Sequence, residues 1–327
     1  MPLERNPNLR DQPGWVDTQL PEALFLPMYQ NAHLVSGLAS TSGPRVVYLS
    51  RDEINHILPD CHLAYLGHGT NQGELPTGPV FSLFIDEQST EITQLIEEQE
   101  NKRKENVEFV DLRKLGPLLD YTEGAILGYA RGLCLWHANH RFCSRCGSES
   151  ESKRGGHMRR CQSSLCSKEI YPRIDPAVIM LVEMIDPEDG IPRCLLGRSK
   201  GLPKGIYSTL AGYVDPGESM EEAVAREVKE ESGVHAIHCE YVASQPWPFP
   251  SSLMIGFRAK THDTDIDINL DELEDADWFT IDQVRSFGEY TDPDVQYALP
   301  RKDSIARMLI DMWIQENENE SDLRKMK

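Results

Sequence analysis

The densest chemistry in this chain lies in the run Arg226-Glu227-Val228-Lys229-Glu230-Glu231. Ser219 with Glu222 three residues on makes a capping box that starts a helix, and Gly233 is placed to stop it. At about 100° per residue, Glu227, Glu230 and Glu231 fall within an arc of roughly 100° on one helix face. Val224 and Val228 beside them can pin the helix to a sheet. Like charges this close repel and weaken an isolated helix. A hard divalent cation among them reverses the sign, because Mg²⁺ takes carboxylate oxygens and bridges them to substrate phosphates. A solvated acidic face is the plainer reading. A strand and glycine loop directly before the helix, and Arg226 set between apolar neighbours, weigh against it.

A second set is Cys143, Cys146, Cys161 and Cys166, four thiols within 24 residues. Phe142-Cys143-Ser-Arg-Cys146-Gly147 is a tight turn that aims two thiolates at one ion, and the later pair is a looser CxxxxC. Four thiolates close a tetrahedral zinc site, which with no open position is structural. Lys153, Arg154, His157, Arg159, Arg160 and Lys168 form a basic island around it, either a contact for phosphates or a solvated ribbon tip. Cys61, Cys134, Cys194 and Cys239 are scattered and read as ordinary buried thiols. From Ser244 to Ser252, prolines alternate with aromatic rings. That makes a stiff, flat-walled loop suited to stacking a base, and a purely structural rigid loop is equally consistent. Asp263, Asp265, Asp267 and Glu274 imitate a calcium loop, but Ile268 stands where its sharp turn needs glycine, so calcium is not expected.

The elements that must position these groups follow from periodicity. Residues 1–20 are polar and Pro-rich, a flexible lead-in. Short β-like runs (Val46–Leu49, Val80–Ile85, Val107–Leu112) and a helix over Thr90–Lys104 make residues 21–116 a small α+β domain. Residues 117–140 read as a helix leading to the cysteines, and 117–172 as helix plus ribbon. Beyond it come strands at Ala177–Met184, Cys194–Arg198 and Leu210–Val214, then the carboxylate helix. Strands at Ile237–Ser244, Leu253–Ala259 and Ala276–Phe279 and a last helix at Asp303–Gln315 complete a domain over 173–315. Residues 316–327 read as an acidic tail, and no internal repeat is visible.

The chain has 327 residues with 33 basic and 53 acidic ones, a net charge of −20. So acidic a surface excludes a protein that grips nucleic acid or anionic membrane all over, though not a local basic patch. No apolar run approaches the 18 or so residues a membrane helix needs, so no membrane partner is expected. The start, MPLERNPNLR, lacks a secretory leader's apolar core. An intracellular, cytoplasmic protein is therefore expected, with a peroxisome or another organelle left open.

From Gly212 to Val234 the segment matches the Nudix box, G-x5-E-x7-R-E-U-x-E-E-x-G-U with U apolar, at every fixed position. A chance match is on the order of one in 10⁸ per starting residue from average usage. Ser244-Gln-Pro-Trp-Pro-Phe-Pro-Ser-Ser252 resembles the signature of the NADH pyrophosphatase (NAD-capped RNA hydrolase) subfamily, which also carries a four-cysteine zinc ribbon after a small N-terminal domain. The resemblance implies an α+β chain: N-terminal domain, ribbon, and a C-terminal Nudix α/β/α sandwich. It implies hydrolysis of NAD(H) to AMP and nicotinamide mononucleotide, and removal of NAD caps from RNA. By the same resemblance Mg²⁺ or Mn²⁺ is held by Glu227, Glu230, Glu231 and Glu272 with the Ala211 carbonyl. Arg226 orients the glutamates through Glu218, and Glu231 or Glu230 acts as base. Substrate would meet Tyr171, Tyr213, Gln245, Pro246, Trp247, Pro248, Phe249, Pro250, Ser251, Ser252 and Ala306, with Trp247 and Tyr213 as stacking rings. A homodimer is implied too. The alternatives are a Nudix hydrolase of another dinucleotide such as ADP-ribose, and a non-catalytic module that senses NAD or RNA.

Overall fold

A computed structural model of the chain describes residues 3–58, 61–70, 77–85, 91–292 and 295–325. The backbone forms two compact units, Met1–Arg173 and Ile174–Lys327. Among the described residues no helix is long and apolar enough to cross a membrane.

The second unit is built on a six-stranded mixed sheet. Asp175–Ile185 lies at its centre, parallel to Ser252–Lys260 and antiparallel to Pro192–Ser199 and Leu210–Tyr213. His238–Trp247 and Leu273–Thr280 form the outer strands. Side chains alternate along a strand, so the central strand feeds two cores. Val178, Met180 and Val182 meet Ala223, Val224 and Val228 of the carboxylate helix, Met220–Ser232. Ile179 and Leu181 meet Leu309, Ile310 and Trp313 of the last helix, Ile305–Lys325. This is the α/β/α sandwich that the family resemblance implies.

Two of the boundaries that differ bear on the site and the chain's end. The last helix does not give way to a tail at residue 316 but runs to Lys325, since no Gly or Pro stops a stretch rich in good helix formers. The strand after the carboxylate helix extends to Trp247, so Ser244–Trp247 belong to the sheet and only residues 248–251 turn. Pro246 is tolerated there because the strand lies at the sheet edge.

In the first unit a seven-stranded sheet carries Leu24–Tyr29, Ala32–Ser36, Cys61–Gly69, Gly78–Ile85 and Val107–Asp111. Residues 3–20 are not a loose lead-in: Leu3 and Glu4 pair with Gly69 and His68, and helical turns at Pro7–Arg10 and Trp15–Gln19 follow. Trp15 packs edge-on to Tyr65. The helix Tyr121–Asn139, capped by Asp120, leads to a three-stranded ribbon of Ser150–Lys153, Met158–Cys161 and Glu169–Ile170.

The topology reveals a repeat that residue types conceal. In each unit an antiparallel hairpin (Cys61–Gly69 with Gly78–Ile85, and His238–Trp247 with Ser252–Lys260) has its second strand parallel to a central strand, Leu24–Tyr29 or Asp175–Ile185. That strand pairs antiparallel with the next, which pairs antiparallel with the last. Both hairpins carry a register shift just after a tyrosine, Tyr65 and Tyr241. Where the second unit has its carboxylate helix, the first has a single turn, Arg51–Ile54.

Candidate functional sites

The carboxylate helix begins at a reciprocal capping box, Ser219 with Glu222, and ends on Gly233 in the left-handed conformation at φ 74°. Its inner face buries Val224 and Val228, and this fixes the rotation of the glutamates. Glu227 and Glu231 are buried, and together with the exposed Glu272 they bring carboxylate oxygens within 4.8 Å of one another. Glu272 comes from the turn before Leu273–Thr280. The chain reaches it by laying residues 267–269 along the helix end, where the Asp267 and Asn269 amides donate to the Ser232 and Glu231 carbonyls at 2.9 Å each.

Arg226 ties this face together. Its Nε and Nη2 donate to the two Glu218 oxygens at 2.7 and 2.9 Å. Nη1 reaches Glu227 at 2.7 Å and Glu230 at 3.1 Å, and Nη2 also donates to the Tyr213 carbonyl at 2.8 Å. That fork holds the Glu218 carboxyl down at about 2. Glu230, grouped with the other two by helical phase, lies outside the trio, exposed and held only by Arg226 among the bonds described.

Burial pushes the Glu227 carboxyl up. Glu231 is driven to about 8, first by burial and then by the charges of Glu227 and Glu272, against a backbone hydrogen bond from Ala211. Ala211 thus has its backbone at the trio, in a strand paired with the central one. The donor set is all oxygen and mutually repulsive, and it fits a hard divalent cation. Gly212, the first fixed position of the box, has a physical reason that spacing did not disclose. A Cβ there would overlap the Glu227 carboxylate, so only glycine lets that group lie against the strand.

The expected substrate residues are placed in different ways. Tyr213, more than half exposed, shares a 3.3 Å hydrogen bond with Ser252. Trp247 and Phe249 make an edge contact at 5.1 Å, and Arg301 lies 5.9 Å over the Trp247 ring. Pro246, Pro248, Pro250 and Ser251 shape the strand end and turn, with Ser251 donating to Asp175 at 2.7 Å. Gln245 works as a clamp, donating to the Asp303 carbonyl at 2.7 Å and accepting from the Ile305 amide at 2.8 Å. The Ala306 methyl is buried in the core under the last helix. Tyr171 belongs to the first unit, where its hydroxyl donates to Glu169 at 2.6 Å.

In the ribbon, all four cysteine sulfurs lie within 4.8 Å of one another, with Cys143 to Cys166 at 3.8 Å and Cys146 to Cys161 at 3.4 Å. A tetrahedron with Zn–S of about 2.3 Å has edges of about 3.8 Å, so this geometry fits zinc, and the distances exclude disulfides. The basic island is smaller than its sequence suggests. Arg159 is buried on Ser150 and His137, and His157 bonds the Tyr65 carbonyl.

Three family models match the chain. They are an NADH pyrophosphatase-like rudimentary NUDIX domain over residues 22–136, an NADH pyrophosphatase zinc ribbon domain over 138–171, and a NUDIX domain over 175–299. NAD-capped RNA hydrolase NUDT12 of Homo sapiens is 42% identical over 207 residues, covering 62% of this chain and 44% of that relative. NAD-capped RNA hydrolase NudC of Stutzerimonas stutzeri (strain A1501) is 43% identical over 203 residues, covering 62% of this chain and 66% of that relative. The match thus spans less than half of the human protein and about two thirds of the bacterial one.

Gly212→Ala is expected to displace Glu227 and to weaken divalent binding at least tenfold, measured by calorimetry, while circular dichroism stays that of the parent. Cys146→Ser opens the ribbon: metal analysis then finds less than one zinc per chain, and amides of residues 143–170 exchange first. The pH dependence of stability has a defined sign. Glu231 holds a proton more tightly in the folded chain than in the unfolded one, so its contribution without metal is full below about pH 4.5 and is lost as pH rises toward 8. The slope is at most about 1.4 kcal/mol per pH unit. A divalent cation takes the proton's place, so the rise in Tm with Mg²⁺ is larger at pH 8 than at pH 6. A pH-independent rise contradicts this.

Proposed function

This chain belongs to the Nudix family, with the ribbon and rudimentary domain of the NADH pyrophosphatases, and we propose that it hydrolyses the pyrophosphate bond of NAD(H). The products are AMP and nicotinamide mononucleotide, reduced when NADH is the substrate, and the same reaction removes NAD caps from RNA. The observation that carries this reading is the carboxylate trio Glu227, Glu231 and Glu272, two of its members buried. A module that only senses NAD or RNA has no use for apposed buried carboxylates.

In this reading Glu227, Glu231 and Glu272 hold Mg²⁺ or Mn²⁺ beside the Ala211 backbone. When bound, the cation neutralises pyrophosphate charge and lowers the pKa of an attacking water. The protein's own groups do the rest. Arg226 keeps Glu227 and Glu230 in place through its fork on Glu218. Glu230, outside the trio, keeps its carboxylate for accepting the proton of the water that attacks phosphorus. Trp247 presents an indole already flanked by Phe249 and Arg301, so a base can stack on it with little ordering cost. Tyr213 and Ser252 offer hydroxyls near the end of the same sheet. The ribbon's zinc is structural. We place the protein in the cytoplasm, as a homodimer.

The test is incubation of the purified chain with NADH, NAD-capped RNA or ADP-ribose plus Mg²⁺ or Mn²⁺, with products read by mass spectrometry. AMP and reduced mononucleotide are expected from NADH. Glu231→Gln lowers kcat by about 10³ and raises the divalent concentration required. Glu230→Gln lowers kcat by about 10², within the usual range for a general base, without changing that requirement. No cleavage of any of the three by folded, zinc-loaded protein removes the enzyme reading.

A further inference from the structure

Charge is segregated along this chain. Residues 141–173 carry eight Lys and Arg against three Glu, a net +5, which leaves the rest at −25. An RNA strand is repelled by most of such a surface and can be held only where the sign reverses. Within the first unit, part of that basic segment meets cations from elsewhere. A cleft of about 730 Å³ opens between the turns Pro7–Arg10 and Trp15–Gln19 and the ribbon hairpin. Arg10 enters from one wall and Lys153, Arg154 and Arg160 from the other, against Asp11 and Asp17, with Lys153 also paired to Glu151 at 2.9 Å and Arg160 to Glu169 at 2.7 Å. The floor is apolar, with Val16, Leu63 and Met158.

Several features of this cleft point to a nucleotide chain. Its volume lies in the range of about 300–1,000 Å³ that encloses small ligands. Cations along a groove are what a strand of charged phosphates requires. Arg10 Nε is buried without a hydrogen-bond partner, and the Arg10 side chain also bonds the Tyr129 hydroxyl, which fixes its guanidinium at the cleft wall. Arg154 reaches Asp11 at only 3.7 Å, a long ion pair that a phosphate can replace. Gly155 and Gly156, both at positive φ, bring the hairpin backbone close against Cys61–Gly69, and a Cβ on Gly156 would lie 2.5 Å from that of Ala64.

We propose that this cleft binds the RNA strand of a capped substrate, holding nucleotides through their phosphates on Arg10, Lys153 and Arg154. The proposal rests on the hydrolase reading only for the identity of that RNA. None of these residues belongs to the carboxylate site, so the two functions separate experimentally.

The experiment compares the full zinc-loaded chain with Lys153→Glu/Arg154→Glu, both side chains being nearly half exposed, and with Arg10→Gln. Zinc content and Tm establish that each variant is folded; Arg10→Gln carries the test if the double variant is not. Anisotropy of a labelled, uncapped single-stranded RNA ten-mer is expected to show Kd raised at least tenfold in the double variant. The slope of log K against log salt should shrink by about 0.7 for each phosphate that no longer meets a cation. KM for NAD-capped RNA rises in parallel, while kcat/KM for NADH is unchanged. Unchanged ten-mer binding overturns the proposal, as does an equal loss on NADH and capped RNA. So does binding of AMP that depends on these residues when ten-mer binding does not. If the parent cleaves no NADH, the hydrolase reading fails, and the ten-mer titration still decides the cleft.

Discussion

The second unit is organised around a repulsion that the fold has to contain. Glu227, Glu231 and Glu272 crowd their oxygens together, and two of the three are buried. Nothing in the local helix favours this; like charges one turn apart weaken it. What holds the arrangement is a rigid frame on three sides. Val224 and Val228 fix the helix on the sheet. Gly212 leaves the space that the Glu227 carboxylate fills, and the Asp267 and Asn269 amides fasten the Glu272 turn to the helix end. Arg226 supplies the positive charge bonded to that face, and the Glu218 carboxylate fixes its direction. The helix stays folded while an unmet demand for positive charge persists at the trio. That is the physical condition for a cation site to be ready before the cation arrives.

Much of this was legible in the sequence because it is periodic or closely spaced. The capping box, the stop at Gly233, the alternation of the central strand and the four cysteines all act over a few residues. The helical arc of roughly 100° grouped Glu230 with Glu227 and Glu231, and the structure separates them. An arc gives direction around the axis, but which members are buried depends on how the strand and the turn before Leu273 close over the helix. Glu272 lies in no periodic pattern. Its place comes from an irregular connection draped over the helix end, and only family resemblance singled it out.

The proline-rich segment shows a similar limit. Alternating Pro and aromatic residues suggested a loop throughout, yet Gln245–Trp247 continue the edge strand, because an edge position asks nothing of the Pro246 nitrogen. Gln245, expected to meet substrate, bonds the start of the last helix with both ends of its amide. Residues 3–20 misled for the opposite reason. Their composition is that of a loose terminus, but one two-residue pairing and the packing of Trp15 on Tyr65 suffice to order them.

The repeated topology of the two units explains why one carries a carboxylate site and the other, among its described residues, does not. Both begin the relevant helix with the same device, a serine cap answered by a glutamate three residues later: Ser50 with Glu53, Ser219 with Glu222. In the first unit the helix ends within a turn, so Glu53 is the only glutamate on it. Burial pushes its carboxyl up, but bonds from Lys102, Ser50 and Gln99 overcome this and hold it at about 2. No charge is left over for a cation. In the second unit the helix runs well past the cap, so capping consumes Glu222 while Glu227 and Glu231 lie farther along, beyond its reach. The hairpins, their register shifts and the order of strand pairing are shared. What differs is helix length, and it separates a carboxylate used for capping from carboxylates free to hold metal.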